Sequence, residues 1–98
     1  MSNKFEWDEA KARANLAHHG VAFDAAQSLD WTTAQIFSDE RFDYGEDRFQ
    51  VRGRIGDRLH VLVFTLREGR MRIISLRKAN RRECRAYVAE TGNQLRNT

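Results

Sequence analysis

RFQVRGRIGDRLHVLVFTLREGRMRIISLRK, residues 48–78, decides the fold. Three strand-like runs, 48–55, 58–66 and 70–77, are separated by the pairs Gly56-Asp57 and Glu68-Gly69. Glycine in the first turn position suits a type II′ turn and glycine in the second a type I′ turn, so the stretch predicts an antiparallel meander. In 48–55, Phe49, Val51 and Ile55 alternate with Arg48, Gln50, Arg52 and Arg54, the pattern of a half-buried strand with its arginines in a row. In 58–66, Leu59, Val61 and Val63 alternate with Leu62, Phe64 and Leu66. Both faces of that strand are apolar, which predicts a central strand covered on both sides along much of its length. His60 interrupts it.

Working outward, FEWD (5–8) reads as a short edge strand. A helix follows, capped by Asp8 and closed by Gly20, with Ala10, Ala14 and Ala17 as the stripe that faces the sheet and Leu16 beside it. Trp7, Lys11, Asn15 and His19 recur every four residues and read as a solvated face. A second, shorter helix is expected over 23–30, a strand over 33–39 and an exposed loop over 40–47. Asn80 and Glu83 have capping-box chemistry, which starts a last helix near 81 and carries it to about 90. Cys84, Ala86, Tyr87 and Ala89 pack that helix down, Gly92 ends it, and 92–98 is expected to fray. The whole is one α+β domain over 1–98: N-terminal helices, an antiparallel sheet of about four strands that includes the meander, and a C-terminal helix.

The 98 residues, 41 % hydrophobic, suffice for one core. Cys84 has no cysteine to pair with, and no Cys/His cluster offers zinc spacing, so the chain reads as intracellular and metal-free. No apolar run approaches the roughly 18 residues of a membrane span, and the N-terminus is charged where a signal peptide is apolar. A cytoplasmic protein without cofactors is the expectation.

The net charge of +3 hides a strong asymmetry. Residues 1–47 carry −6, while residues 48–85 carry +9 from twelve cations, all arginine except Lys78. Arginine forks onto phosphate bidentately, which favours an anionic partner over a merely solvated face. Arg77, Lys78, Arg81 and Arg82 cluster where a strand ends and a helix begins. Cations there oppose the helix dipole by a few tenths of a kcal/mol each, whereas a bound phosphate is favoured by both the cations and the free N–H groups.

No glycine-rich phosphate loop, GxSxG elbow, HExxH or nucleotide fingerprint is present. Asp8-Glu9, Asp39-Glu40 and Glu46-Asp47 are adjacent in sequence, and adjacency points side chains apart. The chemistry left to arginine, lysine, histidine, tyrosine or a lone carboxylate includes RNA cleavage, in which the 2′-hydroxyl is the nucleophile and the protein aligns it and stabilises charge on phosphorus.

FEWDEAKARANLAHHGVAF (5–23) closely resembles the opening of the BrnT toxins, through Phe5, Glu6, Trp7, Asp8, Lys11, Asn15, His19 and Gly20. TLREGRMRIISLRKANRRE (65–83) is similar to the family's Thr-x-Arg strand end, its Arg-Ile-Ile-Ser-x-Arg-Lys-Ala signature and its basic helix start. Gly45-Glu46-Asp47-Arg48 and Gly53-Arg54 lie between, and the likeness spans about 5–88. It implies a ribonuclease toxin of a type II toxin–antitoxin pair with a RelE-like fold and no metal. It also implies a BrnA-like ribbon-helix-helix antitoxin, and a heterotetramer of two toxins and two antitoxins that represses its own operon. Leu76 departs from a small residue of the signature, and Ala22 stands where serine usually caps the second helix.

On this reading Arg67, Arg77 and Lys78 bind and stabilise the scissile phosphate, while Arg52, Arg54, Arg81 and Arg82 track the RNA backbone. His60, Lys11 and Tyr87 are the candidate proton acceptors, in that order; Lys11 also counts among the RNA contacts. Two other readings use the same basic surface: a non-catalytic nucleic-acid-binding module and a protein-interaction domain.

Overall fold

The computed structural model describes residues 4–39 and 46–95. In chain order it contains β1 (Phe5–Glu6), α1 (Glu9–His19), a 3₁₀ helix (Phe23–Ser28), β2 (Leu29–Asp39), β3 (Arg48–Ile55), β4 (Arg58–Arg67), β5 (Arg70–Lys78) and α2 (Arg81–Thr91). The α+β architecture is as expected, with one sheet in the order β1-β5-β4-β3-β2. Among the described residues it has five strands rather than about four. It is mixed rather than antiparallel, because β1 pairs parallel to β5, Phe5 opposite Met71 and Glu6 opposite Arg72. The loop expected over 40–47 falls mostly on 40–45, outside the described residues.

The meander forms with the expected turns. Glu68 and Gly69 both take positive φ, 52° and 78°, as a type I′ turn needs, while at the other turn Gly56 alone is positive, at 65°. Central β4 is covered on both faces. Leu62 and Phe64 join Val21, Phe23, Ala26, Leu29, Val51, Ile73 and Leu76 in a core beneath α1 and the 3₁₀ helix. Leu59 and Val61 join Ala79, Cys84 and Tyr87 in a second core beneath α2. Phe49 stacks on Phe64 at 5.4 Å, and Trp31 meets Phe64 edge-on at 6.4 Å. The double cover stops before the strand does: Leu66 is 53 % exposed.

The α1 helix has the expected caps: Asp8 accepts the Lys11 N–H, and Gly20 closes the helix in the left-handed region. Its inner face is not the expected one. Ala10, Ala14 and Ala17 are exposed, whereas Asn15 is buried at 6 % and Ala12 packs on the core. The reason is the edge of β5. Beyond the two residues of β1 that edge has no strand partner among the described residues, and the Asn15 side-chain amide takes a strand's place. Its Nδ2 donates to the Leu76 carbonyl at 2.7 Å and its Oδ1 accepts the Leu76 N–H at 3.2 Å. Nδ2 also donates to the Val21 carbonyl at 3.0 Å. Leu76, the departure from the family signature, is fully buried just below.

The segment after α1 is a 3₁₀ helix whose Ala22 cap offers no side-chain hydrogen bond. The β2 strand starts four residues earlier than expected and is irregular between Asp30 and Gln35. There Asp30 accepts from Thr32 N–H and Oγ1, Thr33 Oγ1 and Arg54 Nη2, and these bonds, the Thr32 hydroxyl foremost, lower its carboxyl from 3.8 to about 2. In α2 the capping box is complete, with Cys84 and Tyr87 buried, Val88 beside them and Ala89 exposed. Of the tail expected to fray, Asn93 donates to the Tyr87 hydroxyl and Leu95 packs on the second core; residues 96–98 lie outside the described residues. No described helix is long and apolar enough to cross a membrane.

Candidate functional site

The α2 helix crosses one face of the sheet from β5 to β2. At its start Glu83 meets Arg77; farther along, the Tyr87 hydroxyl donates to the Thr33 carbonyl at 2.9 Å and Gln35 donates to Glu90 at 2.9 Å. Beside the helix lies a cleft of about 330 Å³ lined by Phe37, Ser38, Asp39, Gln50, Arg52, Arg77 and Glu83.

Register explains how two arginines come to share it. Arg52 and Arg77 both pair with Val61, one from β3 and one from β5. They therefore flank one residue on one face, with Cα atoms two strand spacings, about 10 Å, apart. Side chains of arginine length converge across that gap. The Arg52 guanidinium lies over the Phe37 ring, 5.0 Å from its centroid. Arg77 donates through Nη1 and Nη2 to both oxygens of Glu83, at 2.8 and 2.9 Å. Glu83 also accepts the Asn80 N–H at 2.9 Å. Arg77 holds the Glu83 carboxyl below its usual value, against the opposing effect of partial burial.

Folding redistributes the charge that the sequence segregates. Glu6 binds Arg70 and Arg72, Asp30 binds Arg54 and Glu46 binds Arg67, so acids of the N-terminal half neutralise arginines of the basic half. Among the described residues, Arg52, Lys78, Arg81 and Arg82 have no carboxylate within 4 Å. Lys78, Arg81 and Arg82 sit where β5 hands over to α2 and Arg52 in β3, while Lys11, Arg13, Arg58 and Arg85 are likewise without such a partner elsewhere on the fold.

A family model described as the ribonuclease toxin, BrnT, of type II toxin–antitoxin systems matches residues 7–83. The chain belongs to the BrnT family. No curated protein matches it. Membership makes the protein a ribonuclease toxin and implies a protein antitoxin as its partner. The match takes in Arg52 and Arg77 and ends on Glu83, so the cleft's ionic groups fall within the BrnT region.

The residues expected to form one site are divided by the fold. Arg77 and Arg52 share the cleft, and Arg81 and Arg82 are exposed on the first turn of α2, which also carries the cleft residue Glu83. Arg54 is on the same face but is bound to Asp30 at the bulge. Arg67 is not beside Arg77: it pairs with Arg70 at the turn, six residues along β4 from Val61, which is about 20 Å in a strand. Lys78 pairs with His60, and by alternation both project from the opposite face. His60 is buried, its Nδ1 donating to the Arg58 carbonyl at 2.9 Å, and burial lowers its pKa. Tyr87 is fully buried with its hydroxyl bonded to Thr33, and so is a packing residue. Lys11 lines a separate groove with Asn15, His18, His19 and Ile74 on the α1 side.

Three features of the BrnT chain escaped the sequence reading. Glu83 was legible as a cap, and its six-residue spacing from Arg77 across a strand-to-helix turn was the available sign of a second role. Phe37 read as a strand residue, with nothing local to show that Arg52 covers it. His19 read as solvated; it is half-buried, and burial, His18 and Arg77 lower its pKa.

Proposed function

We propose that the chain is a metal-independent endoribonuclease that binds the scissile phosphate between Arg52 and Arg77. Through RNA cleavage it inhibits translation and growth. The observation that carries this reading is the placement of those two arginines on one face, flanking Val61, beside a carboxylate. The 2′-oxygen of the RNA bonds to phosphorus as the 5′-oxygen leaves, and the two guanidiniums stabilise the charge gathering on the phosphoryl oxygens. One such donor contributes about 10²–10³ in rate. Glu83 is ionised at neutral pH. When phosphate takes Arg77, Glu83 loses its bidentate partner, becomes more basic and accepts the 2′-hydroxyl proton, while water protonates the leaving oxygen. Arg81 and Arg82 guide the RNA backbone along α2.

The partner that silences this activity is a BrnA-like ribbon-helix-helix antitoxin, in an assembly of two toxins and two antitoxins that represses its own operon. Family membership supports a protein antitoxin, and the uncompensated cations around the cleft support an acidic one. The test is cleavage of end-labelled RNA by purified protein in excess chelator. Cleavage that leaves a 2′,3′-cyclic phosphate is the expected result; activity that appears only when a divalent metal is restored contradicts the mechanism.

A further inference from the structure

The two outer strands of the sheet are finished differently. β1 is two residues long, and Asn15 closes part of the β5 edge beyond it. β2 spans eleven residues, and among the described residues its only strand partner is β3. Its irregularity at 30–35 interrupts pairing there, but 35–39 is regular, each residue paired in turn with β3 from Arg52 back to Arg48. Sheet edges are ordinarily blunted by lysine, proline or a bulge. Between 29 and 39 there is no lysine, arginine or proline. Instead Ile36 is 58 % exposed and Phe37 38 % exposed. Phe37, Ser38 and Asp39 belong both to this open edge and to the wall of the arginine cleft.

We propose that the 35–39 edge of β2 accepts an extended segment of the protein antitoxin as a sixth strand. The segment presents apolar side chains on the Ile36 face and carboxylates on the Phe37 face. A strand added there lies about 4.8 Å beyond β2, and its side chains on the Phe37 face point over the cleft toward Arg52 and Arg77. Main-chain hydrogen bonds supply affinity and the alternate side chains supply specificity. Charge selects the occupant. A second copy of this chain would bring its own Asp39 and its own strongly basic 48–85 segment against the same features, whereas an acidic strand complements Arg52, Arg81 and Arg82. A row of backbone N–H and C=O groups matches a peptide, not a phosphate backbone. Docking at the edge is argued from β2 alone; its consequence, occlusion of the RNA site, rests on the reading of the cleft given above.

The test uses the full chain, alone and in complex with the product of the gene adjacent to its own, followed by hydrogen–deuterium exchange. The expected result is at least tenfold slower exchange at amides within 35–39 in the complex. Ile36→Lys should weaken the complex at least tenfold while leaving RNA cleavage by the free chain within twofold of the parent. A complex that forms without protecting 35–39, or that is indifferent to Ile36→Lys, overturns the proposal. So does protection that appears in the chain alone as its concentration rises, since that assigns the edge to a second copy. Protection of 35–39 in a chain that cuts no RNA upholds the docking edge and contradicts the reading of the cleft.

Discussion

The Arg77 guanidinium and the Glu83 carboxylate, six residues apart where β5 gives way to α2, are joined by two hydrogen bonds of 2.8 and 2.9 Å. Their side chains are 32 % and 13 % exposed, so the pair is screened but not fully solvated. Glu83 also completes the capping box, which makes one carboxylate the tie between the sheet and the helix that bounds the cleft. Replacing Glu83 by Gln keeps the shape and removes the charge. Allowing for solvent screening, the variant should lose about 1 kcal/mol of stability in urea unfolding. Its RNA cleavage should fall more than tenfold, a loss that a purely structural role would not produce in a protein still folded.

Two histidines, His60 and His19, and two carboxylates, Glu83 and Asp30, give the pH dependence of stability a known sign on the acid side. Burial depresses the pKa of His60, so the unfolded chain protonates first; stability is full above about 6.5 and declines as pH falls toward the folded value. His19 acts in the same direction. Glu83 is depressed by Arg77, so its contribution persists above 4.5 and is lost as pH drops through its folded value. Tm measured from pH 7.5 to 3.5 should therefore fall in two stages. His60→Gln should shrink the first stage to the part that His19 contributes and leave the second.

Asn15 replaces a missing strand, so its removal strands backbone groups rather than a surface contact. Asn15→Ala leaves the Leu76 N–H and the Leu76 and Val21 carbonyls without their partner in a buried setting. The expected cost is about 2–3 kcal/mol in denaturant unfolding. Ala14→Ser, one residue earlier and exposed, should be nearly neutral by the same measurement.

Arg67 lies at the far end of the meander, bound to Glu46 at 3.5 Å. Arg67→Ala should leave the rate of RNA cleavage within about threefold of the parent, whereas Arg52→Ala should lower it by about 10²-fold. Equal losses in the two variants would mean that the RNA path runs the length of the sheet.

What the sequence made legible was local. Turn pairs placed the meander within a residue or two, two-sided apolarity marked β4 as central, and Asn80 with Glu83 marked the start of α2. What it hid depends on partners far along the chain. The α1 helix has almost no amphipathic bias, so its alanines offered a plausible inner face; the true face is chosen by Leu76, 61 residues away from Asn15. The parallel β1–β5 pair has the same non-local origin, as does the neutralisation of Arg70 and Arg72 by Glu6. Arg67 and Arg77 look like neighbours because they flank one hairpin strand, yet the register sets them at opposite ends of it. Lys78 follows Arg77 in sequence and for that very reason projects from the other face of the sheet.

The central claim is that RNA is cleaved in the cleft built from Arg52, Arg77 and Glu83. Its most direct measurement is the single-turnover cleavage rate of labelled RNA by Arg77→Ala, in chelator, with folding checked by circular dichroism and urea unfolding. The account predicts a rate at least 10²-fold below the parent. A folded Arg77→Ala protein that cuts RNA at the parental rate would contradict it.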